Sequence, residues 1–253
     1  MKLHLLSGGR IRLRRATYIP GAPREATFDA PVPCFLVRHP KGDVLIDTGC
    51  NPAAAADPAG VWGGLAKAMP PLHGPGEHVG TSLAALGVRP EAVTVVVMTH
   101  LHFDHAGANA MFPNANFVVQ GAELAAASAP DAEAWGYLRS EWDTGRPMRV
   151  IDGEADLFGD GAIRLIPLPG HTPGLMGVLL DLPRDGRVLI AGDAVPLREV
   201  LDEDLMPRNM RDAEAARASY ARVRAIEAEG VLVICGHDMA QWQSLRHDAD
   251  GYA

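Results

Sequence analysis

The chain has 253 residues, 47% apolar and 21% charged, an ordinary globular balance with enough length for a substantial core. Its 23 basic and 31 acidic residues leave a net charge of −8, which argues against a nucleic-acid partner or an anionic-membrane surface. No apolar run approaches the ~18 residues of a spanning helix, and the run within Met1–Gly9 is too short for a signal peptide, so a cytoplasmic protein is expected.

In chain order, the first segment alternates Arg10, Arg12 and Arg14, with Arg15 beside them, and reads as the solvated face of a strand rather than a binding patch. Val44-Leu45-Ile46 reads as a strand running into Asp47-Thr48-Gly49, good turn chemistry. Residues 51–80 are rich in Ala, Gly and Pro yet carry Val61-Trp62 and the run Leu65 to Met69. His78 to Leu86 reads as a helix stopped at Gly87. Val95-Val96-Val97-Met98 is a buried strand. Beyond it come a short helix over His105 to Met111, ended before Pro113, and another over Gly121 to Ser128, ended before Pro130.

Residues 131–150 hold Trp135, Tyr137, Leu138, Trp142 and Met148 without clean periodicity. Strands are expected over Ile163 to Leu168, Val188 to Ala191 and Val231 to Cys235. Between the last two lies the clearest helix, Asp212 to Glu229, with Asp212 as N-cap and Gly230 past its end. No internal repeat or linker interrupts this alternation, and one domain over 1–253 is expected. Cys34, Cys50 and Cys235 form no CxxC pair, and Cys235 reads as a small buried strand residue.

The chemistry concentrates at strand ends. Directly after Val95 to Met98 the chain reads His100-Leu101-His102-Phe103-Asp104-His105, four metal-ligand side chains in six positions. His100 and His102, alternate residues of an extended segment, point the same way. A turn into helix would aim Asp104 and His105 at a second point, an arrangement suited to two metal ions. Three other strand ends each offer one ligand beside a glycine: His171, Asp193 and His237. The remaining histidines, His4, His39, His73, His78 and His247, lie in no such setting and read as surface or packing residues.

The motif His-x-His-x-Asp-His, followed by His171, Asp193 and His237 and preceded by Asp47-Thr48-Gly49, resembles the metallo-β-lactamase superfamily. Three stretches resemble its N-acyl homoserine lactone lactonase branch most: Thr99 to Gly107, Gly170-His171-Thr172-Pro173-Gly174 and Gly236-His237-Asp238. So does the opening, from Leu3-His4-Leu5-Leu6 through Pro33-Cys34-Phe35-Leu36-Val37. The likeness spans roughly residues 2–245.

It implies an α/β fold, an αββα sandwich of two mixed sheets flanked by helices. It also implies two divalent ions, zinc first, with manganese, cobalt or iron as alternatives. His100, His102 and His171 would hold one ion, Asp104, His105 and His237 the other, and Asp193 would bridge them. Asp47 is either an acceptor that orients a ligand histidine or a turn residue. The implied reaction is hydrolysis of a lactone, an N-acyl homoserine lactone first, by a metal-bridging hydroxide, with Asp104 moving the proton.

The branch commonly places a tyrosine three residues after the bridging Asp. Here that residue is Pro196, which has no donor, and Tyr137 is a candidate replacement from another loop. The alternative readings are another lactone, an ester, a thioester or a β-lactam as substrate, or iron-dependent dioxygenase chemistry. Phe103, Trp135, Tyr137 and Trp142 are candidate substrate contacts. The same aromatics serve equally as loop anchors or as a homodimer contact.

Overall fold

Strand residues point alternately to opposite faces, so a strand buried on both sides must be apolar at every position. Val44-Leu45-Ile46 is such a strand, all three residues fully buried. In the computed structural model, which describes residues 1–247 and 249–253, Val44 and Ile46 face a second sheet while Leu45 faces a helix layer.

The first sheet is β1 (Lys2–Arg14), β2 (Thr27–Arg38), β3 (Val44–Ile46), β4 (Val95–Val97), β5 (Asn116–Gln120) and β6 (Arg149–Ile151), paired in that order. β1, β2 and β3 pair antiparallel, and β3 through β6 pair parallel. The second sheet contains β7 (Ala155–Asp156), β8 (Ile163–Pro167), β9 (Met176–Leu182), β10 (Gly186–Gly192) and β11 (Leu232–Cys235), in the order β11-β10-β9-β8-β7. Here β10 and β11 are parallel and the other pairs antiparallel.

The inner core joins the two sheets, Val97 and Val118 of one meeting Leu165, Val178 and Ile190 of the other. The outer face of the first sheet packs Leu45, Val96 and Phe117 under Val79 and Leu83 of the helix Val79–Ala85. That of the second packs Leu189 and Val233 under Tyr220 and Val223 of the helix Ala213–Ala228. The result is the expected αββα sandwich.

The longest helix starts as its sequence indicates, with an Asp212 side-chain oxygen accepting from the amides of Glu214 and Ala215 at 3.0 Å each. It ends before Gly230, whose φ of +82° suits glycine. Arg12 and Arg14 are exposed on β1, and Arg12 pairs with Asp29 across the sheet at 2.7 Å, as a solvated strand face should.

Two expectations shift. The helix expected over His105 to Met111 begins inside the ligand motif, at Phe103–Ala106, and a separate 3₁₀ turn follows at Asn109–Met111. Asn109 explains the break: its buried amide accepts from Thr48 Oγ1 (2.9 Å) and donates to the Trp142 carbonyl (3.3 Å). Residues 131–150, without periodicity in sequence, contain a 3₁₀ turn, the short helix Arg139–Trp142 and the start of edge strand β6.

Candidate metal centre and its cavity

Strand direction gathers the ligands. β3 and β4 run parallel in one sheet. In the other, β8 and β10 share a direction because both are antiparallel to β9, and β11 follows β10. The C-terminal ends of β3, β4, β8, β10 and β11 carry Asp47, the 100–105 motif, His171, Asp193 and His237, and these converge on one edge between the sheets.

Three groups of side chains place one ligand atom each within 4.8 Å of one another: His100, His102 and His171; Asp104, His105 and His237; and His100, His105 and Asp193. Asp193 lies between the first two groups, its carboxylate 3.5 Å from His171 Nε2, 3.4 Å from His105 Nε2 and 3.1 Å from His237 Nε2. Asp104 Oδ2 stands 3.6 Å from His237 Nε2 and 3.8 Å from His105 Nε2. All seven positions named from the sequence therefore come together.

The outward nitrogens explain why the inward ones are free to coordinate. His171 Nδ1 donates to the Asn209 carbonyl (3.2 Å) and His237 Nδ1 to the Pro31 carbonyl (2.9 Å). His105 Nδ1 meets Asp47 Oδ2 at 2.8 Å. Thr99 Oγ1 spends its one proton on Asp47 Oδ2 (2.6 Å), so at 3.1 Å from His100 Nδ1 it can only accept. In these four rings Nδ1 is the nitrogen bound to an outer oxygen, which turns Nε2 toward the centre.

Three of the converging atoms, His100 Nε2, His105 Nε2 and Asp193 Oδ1, are buried without a hydrogen-bond partner. Buried polar atoms are normally satisfied. Several unpaired acceptors aimed at one point fit a cation, and imidazole with carboxylate is a donor set for zinc and its neighbours.

Charge divides the site in two. Burial pushes His100, His102 and His171 below the ordinary histidine range, which keeps those imidazoles neutral. Burial also opposes charge on His105 and His237. There the carboxylates win, Asp104 and Asp193 at the first and Asp193 at the second, and both rings move up. Asp193 is held well below the carboxylate range, its burial outweighed by His237 and His105.

Asp47 serves the site rather than only its turn. Besides His105 and Thr99 Oγ1, it accepts the Thr99 amide at 2.7 Å, and it does so from a left-handed backbone with φ of +55°. Thr99 and Glu123 went unread in the sequence. Glu123 is fully buried and accepts from the amides of Leu101 (2.9 Å) and Gly174 (3.1 Å), tying the 100–105 loop to the His171 loop. A Cβ on Gly174 would lie 2.1 Å from the Glu123 nitrogen, so glycine is required there. One signal was available: a lone acidic residue on the otherwise apolar stretch Gly121–Ala127.

A cavity of about 370 Å³ opens onto the ligands. Leu13, Leu65, Met69 and Phe103 form an apolar wall, and Tyr18, Trp135, Tyr137, Asn209 and Arg211 complete it. Phe103 lines the cavity and packs edge-on against Trp62 at 4.8 Å. Trp135 sits at the rim, 42% exposed, under the Arg211 guanidinium at 4.7 Å. Trp142 is a correction. It is buried in the layer behind the first sheet and does not line the cavity, because the Arg139–Trp142 turn faces Asn109 rather than the ligands. Pro196 contributes no side-chain donor, and its carbonyl accepts the His237 amide at 2.8 Å. Cys235 is buried at the end of β11 and is absent from the ligand groups.

Residues 28–237 match the family model for the metallo-beta-lactamase superfamily. The chain belongs to that superfamily. Among superfamily members, an N-acyl homoserine lactonase, AttM, of Azorhizobium caulinodans is 34% identical over 261 residues, covering 100% of this chain and 98% of that protein. An N-acyl homoserine lactonase of a Bacillus species is 29% identical, covering 95% of this chain and 94% of its own length. Among solved superfamily structures, an N-acyl homoserine lactone hydrolase with the product N-hexanoyl-L-homoserine at its catalytic metal centre superposes with a TM-score of 0.89 at 25% identity. That likeness covers 100% of this chain and 98% of the other.

Proposed function

We propose that this chain is a metal-dependent lactonase that hydrolyses N-acyl homoserine lactones, a quorum-quenching activity, with residues 1–253 acting as one domain. The observation that carries the reading is the pair of ligand trios joined at Asp193, opening on a cavity with an apolar wall, in a chain matched end to end by lactonases. His100, His102 and His171 would hold one divalent ion and Asp104, His105 and His237 a second, with Asp193 between them. Zinc suits this donor set best. When bound, such a pair supplies hydroxide near neutral pH and polarises an ester carbonyl.

The chain's own residues do the rest. Asp104 lines the cavity beside both His105 and His237, placed to accept the proton of the attacking oxygen and pass it to the departing ring oxygen. Asp47 and Thr99 fix the rings of His105 and His100, so the ligand geometry is set before substrate arrives. Leu13, Leu65, Met69 and Phe103 offer an acyl chain a dry surface. No helix among the described residues is long and apolar enough to cross a membrane, and the buried free cysteines suit a reducing compartment, so we place the enzyme in the cytoplasm.

Pro196 favours a second reading, in which other lactones or esters are the preferred substrates. The test is proton release by the metal-quantified protein on acyl homoserine lactones, simple γ- and δ-lactones, aryl esters and a β-lactam. Strong turnover of homoserine lactones with two metals per chain is expected. Turnover confined to the others would transfer the assignment to them, and no turnover on any would overturn the hydrolase reading.

A further inference from the structure

Ester hydrolysis gathers negative charge on the carbonyl oxygen, and a donor aimed there is among the strongest aids a site can offer. The loop after Asp193, Ala194-Val195-Pro196-Leu197, carries no side-chain donor. Its Val195 and Pro196 carbonyls accept the amides of Gly236 (3.0 Å) and His237 (2.8 Å), and proline has no N–H.

A hydroxyl reaches the cavity from elsewhere. Tyr18 closes the helical turn Arg15–Tyr18 that follows β1, is 4% exposed, and lines the cavity with Asp104, Asp193, His171 and His237. Its ring packs edge-on against Phe28 at 5.5 Å. Its hydroxyl meets the Asn209 side chain and lies within the field of the Asp193 and Asp104 carboxylates. The turn is pinned from several sides. Ile19 N donates to the Arg15 carbonyl (2.8 Å), Arg15 pairs with Glu199 (2.6 Å), and Arg208 N donates to the Thr17 carbonyl (2.7 Å). Tyr137, the other cavity tyrosine, has different neighbours: its ring lies 4.7 Å edge-on to His102, and its buried hydroxyl sits beside Glu123 and Thr172 with no hydrogen-bond partner.

We propose that Tyr18 is a catalytic residue of this site, its phenol donating a hydrogen bond to the carbonyl oxygen of the bound lactone as charge gathers there. The assignment rests on the hydrolase reading above. A phenol with an ordinary pKa near 10 keeps its proton at neutral pH, and burial strengthens that hold. Tyr18 therefore donates without transferring its proton. Water adds to the carbonyl carbon, the bond from that carbon to the ring oxygen breaks, and water's proton passes through Asp104 to the ring oxygen, giving the hydroxy acid.

The test compares Tyr18→Phe with Tyr220→Phe, which removes another buried phenolic hydroxyl from the outer helix layer. Each full-length, metal-quantified protein is assayed on a γ-lactone and the matching γ-thiolactone. For Tyr18→Phe, kcat should fall by about 100-fold on both substrates with KM changed less than about threefold, and Tyr220→Phe should match wild type. A wild-type kcat in Tyr18→Phe overturns the proposal. So does a loss confined to the lactone, which would place the donor on the leaving oxygen.

Should Tyr18→Phe misfold or lose metal, 4-aminophenylalanine at position 18 keeps the ring and a neutral N–H donor. Its kcat should stay within about tenfold of wild type, and a loss of about 100-fold or more with normal metal content overturns the assignment. A wild-type protein inert to every lactone and ester would remove the hydrolase reading and this assignment together. An active wild type with an unaffected Tyr18→Phe removes only this one.

Discussion

The ligand cage and the cavity wall beside it follow opposite rules. In the cage every side chain comes from the end of a buried strand, and each of His100, His105, His171 and His237 is fixed by an oxygen behind it. The wall is assembled from the turn at Arg15–Tyr18, the short helix Leu65–Ala68, residues 134–137, Asn209 and Arg211, and at Trp135 it is open to solvent. On the proposed reading, reaction type would depend on rigid parts and selectivity on parts that can vary without moving them.

This contrast sets the order of expected effects. Asp193→Asn touches both ligand trios and should lower turnover by more than the roughly 100-fold that loss of a supporting oxygen can cost. Metal analysis should show fewer ions per chain, and normal turnover with normal metal content would show that the cage is not the reacting centre. Asp47→Asn should leave the ligands in place but loosen His105, weakening metal affinity or turnover by about 10- to 100-fold, measured by metal titration.

Glu141 probes the layer behind the wall, where it is 4% exposed and accepts from Asn51 at 3.2 Å. Burial lifts its carboxyl from 4.5 to about 7. A carboxyl raised in the fold stabilises it below the unfolded value and loses that contribution as pH rises through about 7. Melting curves of Glu141→Gln should therefore lack a decline that wild type shows across that window. The smallest effect is expected at the rim: Trp135→Ala removes the surface for Arg211 and should raise KM by about two- to fivefold with kcat unchanged. A large loss of kcat there would mean that wall and cage are coupled.

The cage was legible in the sequence because its signal is local. A histidine or aspartate beside a glycine, just past an apolar run, announces both its chemistry and its position. Asp47 was half legible, since Asp-Thr-Gly also reads as a turn, and the 2.8 Å approach to His105 is what supports the orienting reading. Tyr18, Asn209 and Glu123 were not legible. Their roles depend on partners tens of residues away, as when Glu123 clamps Leu101 and Gly174. Trp142 shows the same limit: an aromatic in an aperiodic segment gives no sign of whether it will face the cavity or anchor the loop.

One further consequence follows from the cage drawing on both sheets. His100 and His102 follow β4 in the first sheet, while His171, Asp193 and His237 follow β8, β10 and β11 in the second. Neither sheet alone holds a complete trio. A half-folded chain carries only fragments of the centre, and the contact between Pro31 and His237 closes a loop of 206 residues, a separation with a large entropy cost. Ion uptake and turnover would then report the completed native state, making activity a clock for the final step of folding.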